Sequence, residues 1–175
     1  VILALALACA PDDYDSGKLP TADDTGTPSG TDDTGTTATG TANDTLVGSW
    51  LSEGGDVSEL LAGPPFNVVS ISASFGADGS YEVVSTDAEG ASGTLTGTYA
   101  VDLATNPAGI VLSQATPYTA TAEGIFQIVG DTLTYEVVQT EPDYGYAPPT
   151  PESGFGTTSG NGIEAGINVQ TYVRR

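Results

Sequence analysis

The sequence predicts an all-β fold, a small up-and-down antiparallel β-barrel of about eight strands behind a disordered N-terminal tether. Three observations predict it. In short runs, apolar residues alternate with Ser, Thr and other polar residues, the period-two pattern of half-buried strands. Clusters of Gly, Asp, Asn and Pro interrupt these runs at intervals that suit hairpin turns. Helical periodicity is nearly absent.

Residues 1–9 read as the end of an export signal. The run from Val1 to Ala8 has no polar side-chain atom. It matches a signal h-region, roughly 7–15 residues, and falls short of the ~20 that span a bilayer as a helix. No basic segment precedes it and the sequence has no Met, so Val1 is expected to lie inside the original signal. Ala6-Leu7-Ala8-Cys9 resembles a bacterial lipobox, in which small residues precede an acylated Cys. The resemblance implies lipidation at Cys9, with the membrane as partner through that anchor. It implies a place in the bacterial cell envelope, at the outer membrane. The alternative is an ordinary signal cut after Ala-x-Ala, with Cys9 incidental. Cys9 is the single Cys, so an internal disulfide is excluded.

Residues 10–45 are dominated by Thr, Gly, Asp, Ala and Pro, with a short repeat in Asp23-Asp24-Thr25-Gly26-Thr27 and Asp32-Asp33-Thr34-Gly35-Thr36. Too little apolar surface is present to offset chain entropy, so a disordered acidic tether is expected. Paired Asp before Gly suggests calcium, but the ligand order of an EF-type loop and its Glu are missing. The formal net charge is −20, with 3 basic residues and no His. Phosphate neutralisation needs Lys and Arg, so a nucleic-acid partner is excluded.

Residues 46–175 form the expected domain. The first strand is placed at 46–52. Asp56 could cap a short helix, with Glu59 reaching back to it as in a capping box, and Gly63-Pro64-Pro65 ending it. The second strand, 68–75, puts Val69, Ile71, Ala73 and Phe75 on one face. Gly76-Ala77-Asp78-Gly79 makes a tight turn into the third, 80–85, where Tyr81 and Val83 share a face. The fourth, 92–101, aligns Leu95, Gly97, Tyr99 and Val101. The fifth spans 109–114 and the sixth 119–129. The seventh, 132–139, aligns Leu133, Tyr135 and Val137. The eighth is 167–174, after a long loop. Sequential hairpins favour a meander that closes on itself and removes its edges, over an immunoglobulin-type sandwich.

Gly48-Ser49-Trp50 is similar to the G-x-W signature of lipocalins and of small bacterial lipocalin-like domains. Phe75-Gly76-Ala77-Asp78-Gly79-Ser80-Tyr81 resembles the F-x-x-D-G-x-Y hairpin of the latter. Gly97-Thr98-Tyr99 and Gly130-Asp131-Thr132-Leu133 look like their G-x-Y strand and G-D-x-L hairpin. The order of these motifs covers nearly all of residues 46–175. The resemblance implies a barrel that could hold a small hydrophobic ligand. It also implies a basic residue late in the chain lying over the signature Trp, with Arg174 over Trp50 as a structural latch and Arg175 as second choice. Solvated arginines at a frayed terminus are the alternative.

Catalytic chemistry is scarce. Without His, Ser-His-Asp and Cys-His arrangements are excluded, and neither a metal site nor a cofactor is expected. Lys is missing from residues 46–175, which removes Schiff-base chemistry there. Glu82, Glu123 and Glu136 fall within strands, where a solvated outer face is the expectation against a buried acid–base pair. Residues 140–165 carry Tyr144, Tyr146 and Phe155 among prolines and glycines. Such a loop could bind a ligand at the barrel mouth, plug the barrel or be disordered. The expected ligand contacts are therefore Phe75, Tyr81, Tyr99 and Tyr135 in the barrel, and Tyr144, Tyr146 and Phe155 on the loop. Two roles remain open, neither enzymatic: a lipid-anchored barrel holding a small hydrophobic ligand, or a structural or surface-interaction protein with a filled barrel.

Overall fold

The computed structural model describes residues 45–175. The expected signal remnant, Cys9 and all but the last residue of the tether lie outside them. Eight strands form one closed antiparallel barrel, β1(Gly48–Glu53), β2(Val68–Phe75), β3(Ser80–Asp87), β4(Ser92–Asp102), β5(Ala108–Thr116), β6(Ala120–Val129), β7(Thr132–Glu141) and β10(Gln170–Arg174). Between β7 and β10 a long connection carries a separate ribbon, β8(Tyr146–Ala147) paired with β9(Ser159–Gly160). Each strand pairs with its neighbour in sequence, and β10 closes the ring between β7 and β1. The edge problem of a half-buried sheet is removed by closure.

Alternation decides which side chains enter the barrel. In β3, Tyr81, Val83 and Ser85 are buried while Ser80 and Glu82 are exposed. In β5, Ala108, Ile110, Leu112 and Gln114 point in. In β2 a register shift between Val68 and Ser70 breaks the alternation. Val68 is buried and Val69 is exposed, so Val69 does not share the inner face with Ile71, Ala73 and Phe75 as expected. The extra residue of a bulge reverses the facing of everything before it. Val101 is likewise exposed, near the end of β4.

The segment between β1 and β2 closes one end. A 3-10 turn, Gly54–Asp56, leads to a short helix, α1(Glu59–Ala62). The expected capping box is not formed. Ser58 is the N-cap, without a side-chain cap bond. Its N–H is instead held by Gln170 Oε1 at 3.1 Å, and Gln170 Nε2 also donates to Ser52 Oγ and to the Asp56 carbonyl. A glutamine from the last strand thus supplies what a local side chain would otherwise give. Val57 and Leu61 are buried against the core, with Leu60 and Phe66 packed beside them.

Strand direction sorts the remaining parts. β1 starts, and β10 finishes, at the opposite end from α1, together with the β2–β3, β4–β5 and β6–β7 turns. The helix and the long β7–β10 connection share the other end.

Candidate functional site

Trp50 forms the floor of the barrel end at which β1 begins. It is 1 % exposed, and its indole N–H donates to the Leu46 carbonyl at 2.8 Å. The Arg174 guanidinium carbon lies 4.1 Å from the Trp50 ring centroid. Arg174 Nη1 and Nη2 donate to the carbonyls of Val47 and Thr45, at 3.2 and 2.9 Å. Its Nε sits 3.8 Å from Asp131 Oδ1. The cation therefore covers an indole face and also ties the chain entering β1 to the chain leaving β10. Gly48 makes this approach possible, since its φ is +135° and an added Cβ would stand 3.0 Å from Arg174 Nη1. Arg175 lies apart, 3.4 Å from Glu53.

The structure divides the expected ligand contacts into two groups that do not meet. Phe75, Tyr81 and Tyr135 are buried in the barrel. Phe75 and Tyr99 are edge-on at 5.1 Å, and Tyr99 Oη donates to the Gly76 carbonyl at 2.8 Å. Tyr135 and Tyr172 are edge-on at 6.0 Å. Burial pushes the Tyr81 phenol up to about 12 and also raises Tyr135 and Tyr172 above the ordinary value. The void between Ala73, Phe75, Val83, Leu133, Tyr135 and Tyr172 is only about 10 Å³, the space of roughly one water molecule.

The second group, Tyr144, Tyr146 and Phe155, lies on the long connection. That segment neither plugs the barrel nor stands disordered over its mouth. It is a strap held against the outer face of β6 and β7. By register, Ile125, Glu136 and Val138 point outward there, yet all three are fully buried. The expectation that Glu136 is solvated therefore fails, while Glu82 and Glu123 are exposed. Glu136 is a staple. Its carboxylate accepts from Gly156 N–H at 2.5 Å, from Thr158 N–H at 3.0 Å and from Thr158 Oγ1 at 2.6 Å. Thr158 Oγ1 accepts in turn from Asn168 Nδ2, which also donates to the Val137 carbonyl. No sequence signal marks Glu136, Thr158 and Asn168 as partners, because they share neither a motif nor a period.

Beside the staple the strap makes one wall of a groove. Residues 148–151, Pro-Pro-Thr-Pro, face the outer surface of β4, β5 and β6 across about 370 Å³. Ala100, Gly109 and Val111 contribute the apolar floor, and Asp102 and Glu123 line the same space. The groove lies outside the barrel, on the side of the ring remote from β1.

These features define a closed eight-stranded antiparallel barrel, compatible with a lipocalin-like fold, with a latched end and a strapped flank. Comparison with protein-family models, curated proteins and solved structures gives no match to this chain.

Proposed function

We propose that this chain is a lipid-anchored protein of the bacterial envelope, and that its lipocalin-like barrel acts as a solid interaction module meeting partners through its outer surface. The carrying observation is the contrast in free space. The aromatic interior leaves a void of about 10 Å³, whereas the outer groove offers about 370 Å³, within the usual range of ligand sites, ~300–1,000 Å³. A small hydrophobic ligand inside would have to displace Phe75, Tyr81 or Tyr135 from packed positions. Support for the anchor comes from Cys9 and the apolar run before it. At outer-membrane attachment the tether would join the barrel at the Trp50–Arg174 end, with the helix and the strap's attachment points directed away. The role is binding rather than catalysis, since the chain contains no His and the one fully buried carboxylate among the described residues is occupied by hydrogen bonds.

Two mass measurements on protein extracted from its native membrane test this reading. The N-terminal peptide should carry acyl chains on Cys9, and native mass spectrometry should show the barrel without a bound molecule. An unmodified Cys9 would overturn the anchor. A stoichiometric apolar molecule released only on unfolding would overturn the solid module.

A further inference from the structure

We infer that the groove between the 148–151 wall and the β4–β5–β6 face binds an extended peptide segment of a partner protein, with an apolar residue flanked by basic ones. The inference rests on the outer-surface reading above and names its partner's chemistry.

Three features select this occupant. First, the wall is preformed. Thr150 N–H is held by Ser153 Oγ at 2.8 Å, Gly154 N–H by the Thr150 carbonyl at 2.9 Å, and the next residues by the Glu136 staple. A wall ordered in advance lowers the entropy lost on binding. Second, the mode of contact is restricted. β5 is paired on both sides, so a peptide cannot add to it as a strand. Pro148, Pro149 and Pro151 have no N–H to donate. Affinity must come from an apolar side chain seated on Val111, which is 41 % exposed, and from charge.

Third, the charge is placed and left open. Asp102 pairs with Gly109 across β4 and β5, and Glu123 pairs with Val111 across β5 and β6. Strand spacing and rise put these carboxyl-bearing residues about 12 Å apart, at opposite corners of the groove. One oxygen of each is tied within the chain, Asp102 Oδ1 by Ala104 N–H at 2.9 Å and Glu123 Oε1 by Thr140 Oγ1 at 3.1 Å. Those ties aim the groups without neutralising them. Among the described residues both arginines are spent elsewhere, on Asp131 and Glu53. In an extended segment alternate residues share a face and four residue steps cover about 13 Å, so Lys or Arg two places to each side of an apolar residue reaches both carboxylates while that residue faces Val111.

Titration of the full chain with the synthetic peptide Ac-Arg-Ser-Leu-Ser-Arg-NH2 tests the assignment, with Ac-Glu-Ser-Leu-Ser-Glu-NH2 and spermidine as comparators. The basic peptide should bind and the acidic one should not. Asp102→Asn and Glu123→Gln should each weaken binding about fivefold, as for a part-exposed ion pair. Val111→Lys, a change at an exposed position, should weaken it by roughly tenfold or more. Glu82→Gln, on the exposed face of β3, should leave it unchanged. Equal weakening by Glu82→Gln would mean diffuse attraction to an acidic surface and overturn the site, as would spermidine binding as tightly as the peptide. Failure of the groove would leave an acylated Cys9 and an empty interior intact. A molecule found inside the barrel would sink the underlying reading instead.

Discussion

Replacing Glu136 with Ala removes the acceptor for three donors of the strap, two backbone N–H groups and one hydroxyl. Hydrogen bonds to a charged group contribute about 1.5–3 kcal/mol each, and a buried donor left without a partner costs about 1–3 kcal/mol. Donors converging on one carboxylate are not additive, so a docked strap in Glu136→Ala would lose roughly 3–5 kcal/mol. That is a large share of a typical 5–15 kcal/mol. The molecule has a cheaper route, which is to release the strap and hydrate the stranded groups while the barrel stays closed. Exposure of Ile125 and Val138 then costs about 1.5–3 kcal/mol for each side chain, but the strap regains about 1–2 kcal/mol of backbone entropy for each residue set free, which offsets that cost over a few residues. The expected result is a separation of two events. Chymotrypsin should cut the variant rapidly after Phe155, Tyr144 or Tyr146, while the urea midpoint of the barrel falls modestly. Trypsin is blind to this event, since residues 142–169 contain no Lys or Arg. Glu136→Gln, which keeps one carbonyl acceptor, should lie between. Equal cleavage rates and equal midpoints for wild type and Glu136→Ala would refute the reasoning.

The chain's single Trp makes the latch directly observable. Arg174→Ala should cost about 1–2 kcal/mol from the cation over the indole, shift Trp50 emission to the red and lower the urea midpoint. Arg174→Lys should recover only part, because a point charge cannot serve two carbonyls in the way a planar guanidinium does. Alkaline pH should unfold the protein cooperatively. The Tyr81 phenol is raised to about 12 by burial, and Tyr135 and Tyr172 are raised above the ordinary value. Above about pH 10 the unfolded chain releases phenolic protons that the folded one retains, so stability is full below that pH and is lost as pH rises through 12. Phenolate absorbance from the buried Tyr81, Tyr135 and Tyr172 should appear only together with loss of ellipticity. Smooth, independent titration of all tyrosines would contradict the burial.

The strands were legible because a two-residue period needs only local sequence. Tyr81 and Val83, or Leu133, Tyr135 and Val137, declare an inner face by themselves. The same rule failed at Val69, where one bulge residue reverses the facing and no nearby residue announces it. Local sequence also misleads at Asp56 and Glu59, where a capping box is chemically available. Gln170, far along the chain, fills the position instead. Glu136 is the most instructive case. Its outward direction follows from alternation, but solvation does not follow from direction. Direction is a property of the strand, while coverage is a property of whatever folds back over it. The strap has no periodicity to reveal where it lies. The groove was hidden for the same reason, since its floor and its wall come from separate parts of the chain.

Closure of the barrel through β1 and β10 also sets an order of events in time. The seam joins Trp50 to Arg174 and Leu51 to Val173, nearly the greatest separation within residues 45–175. Contacts of such long sequence separation form only after the intervening chain has been gathered. The meander from β2 to β7 can assemble hairpin by hairpin, and the seam then zips last. Interactions made after the folding barrier affect the rate of opening far more than the rate of folding. The Trp50–Arg174 contact is therefore a brake on unzipping. A weakened latch should leave refolding nearly as fast as before and shorten the lifetime of the closed ring.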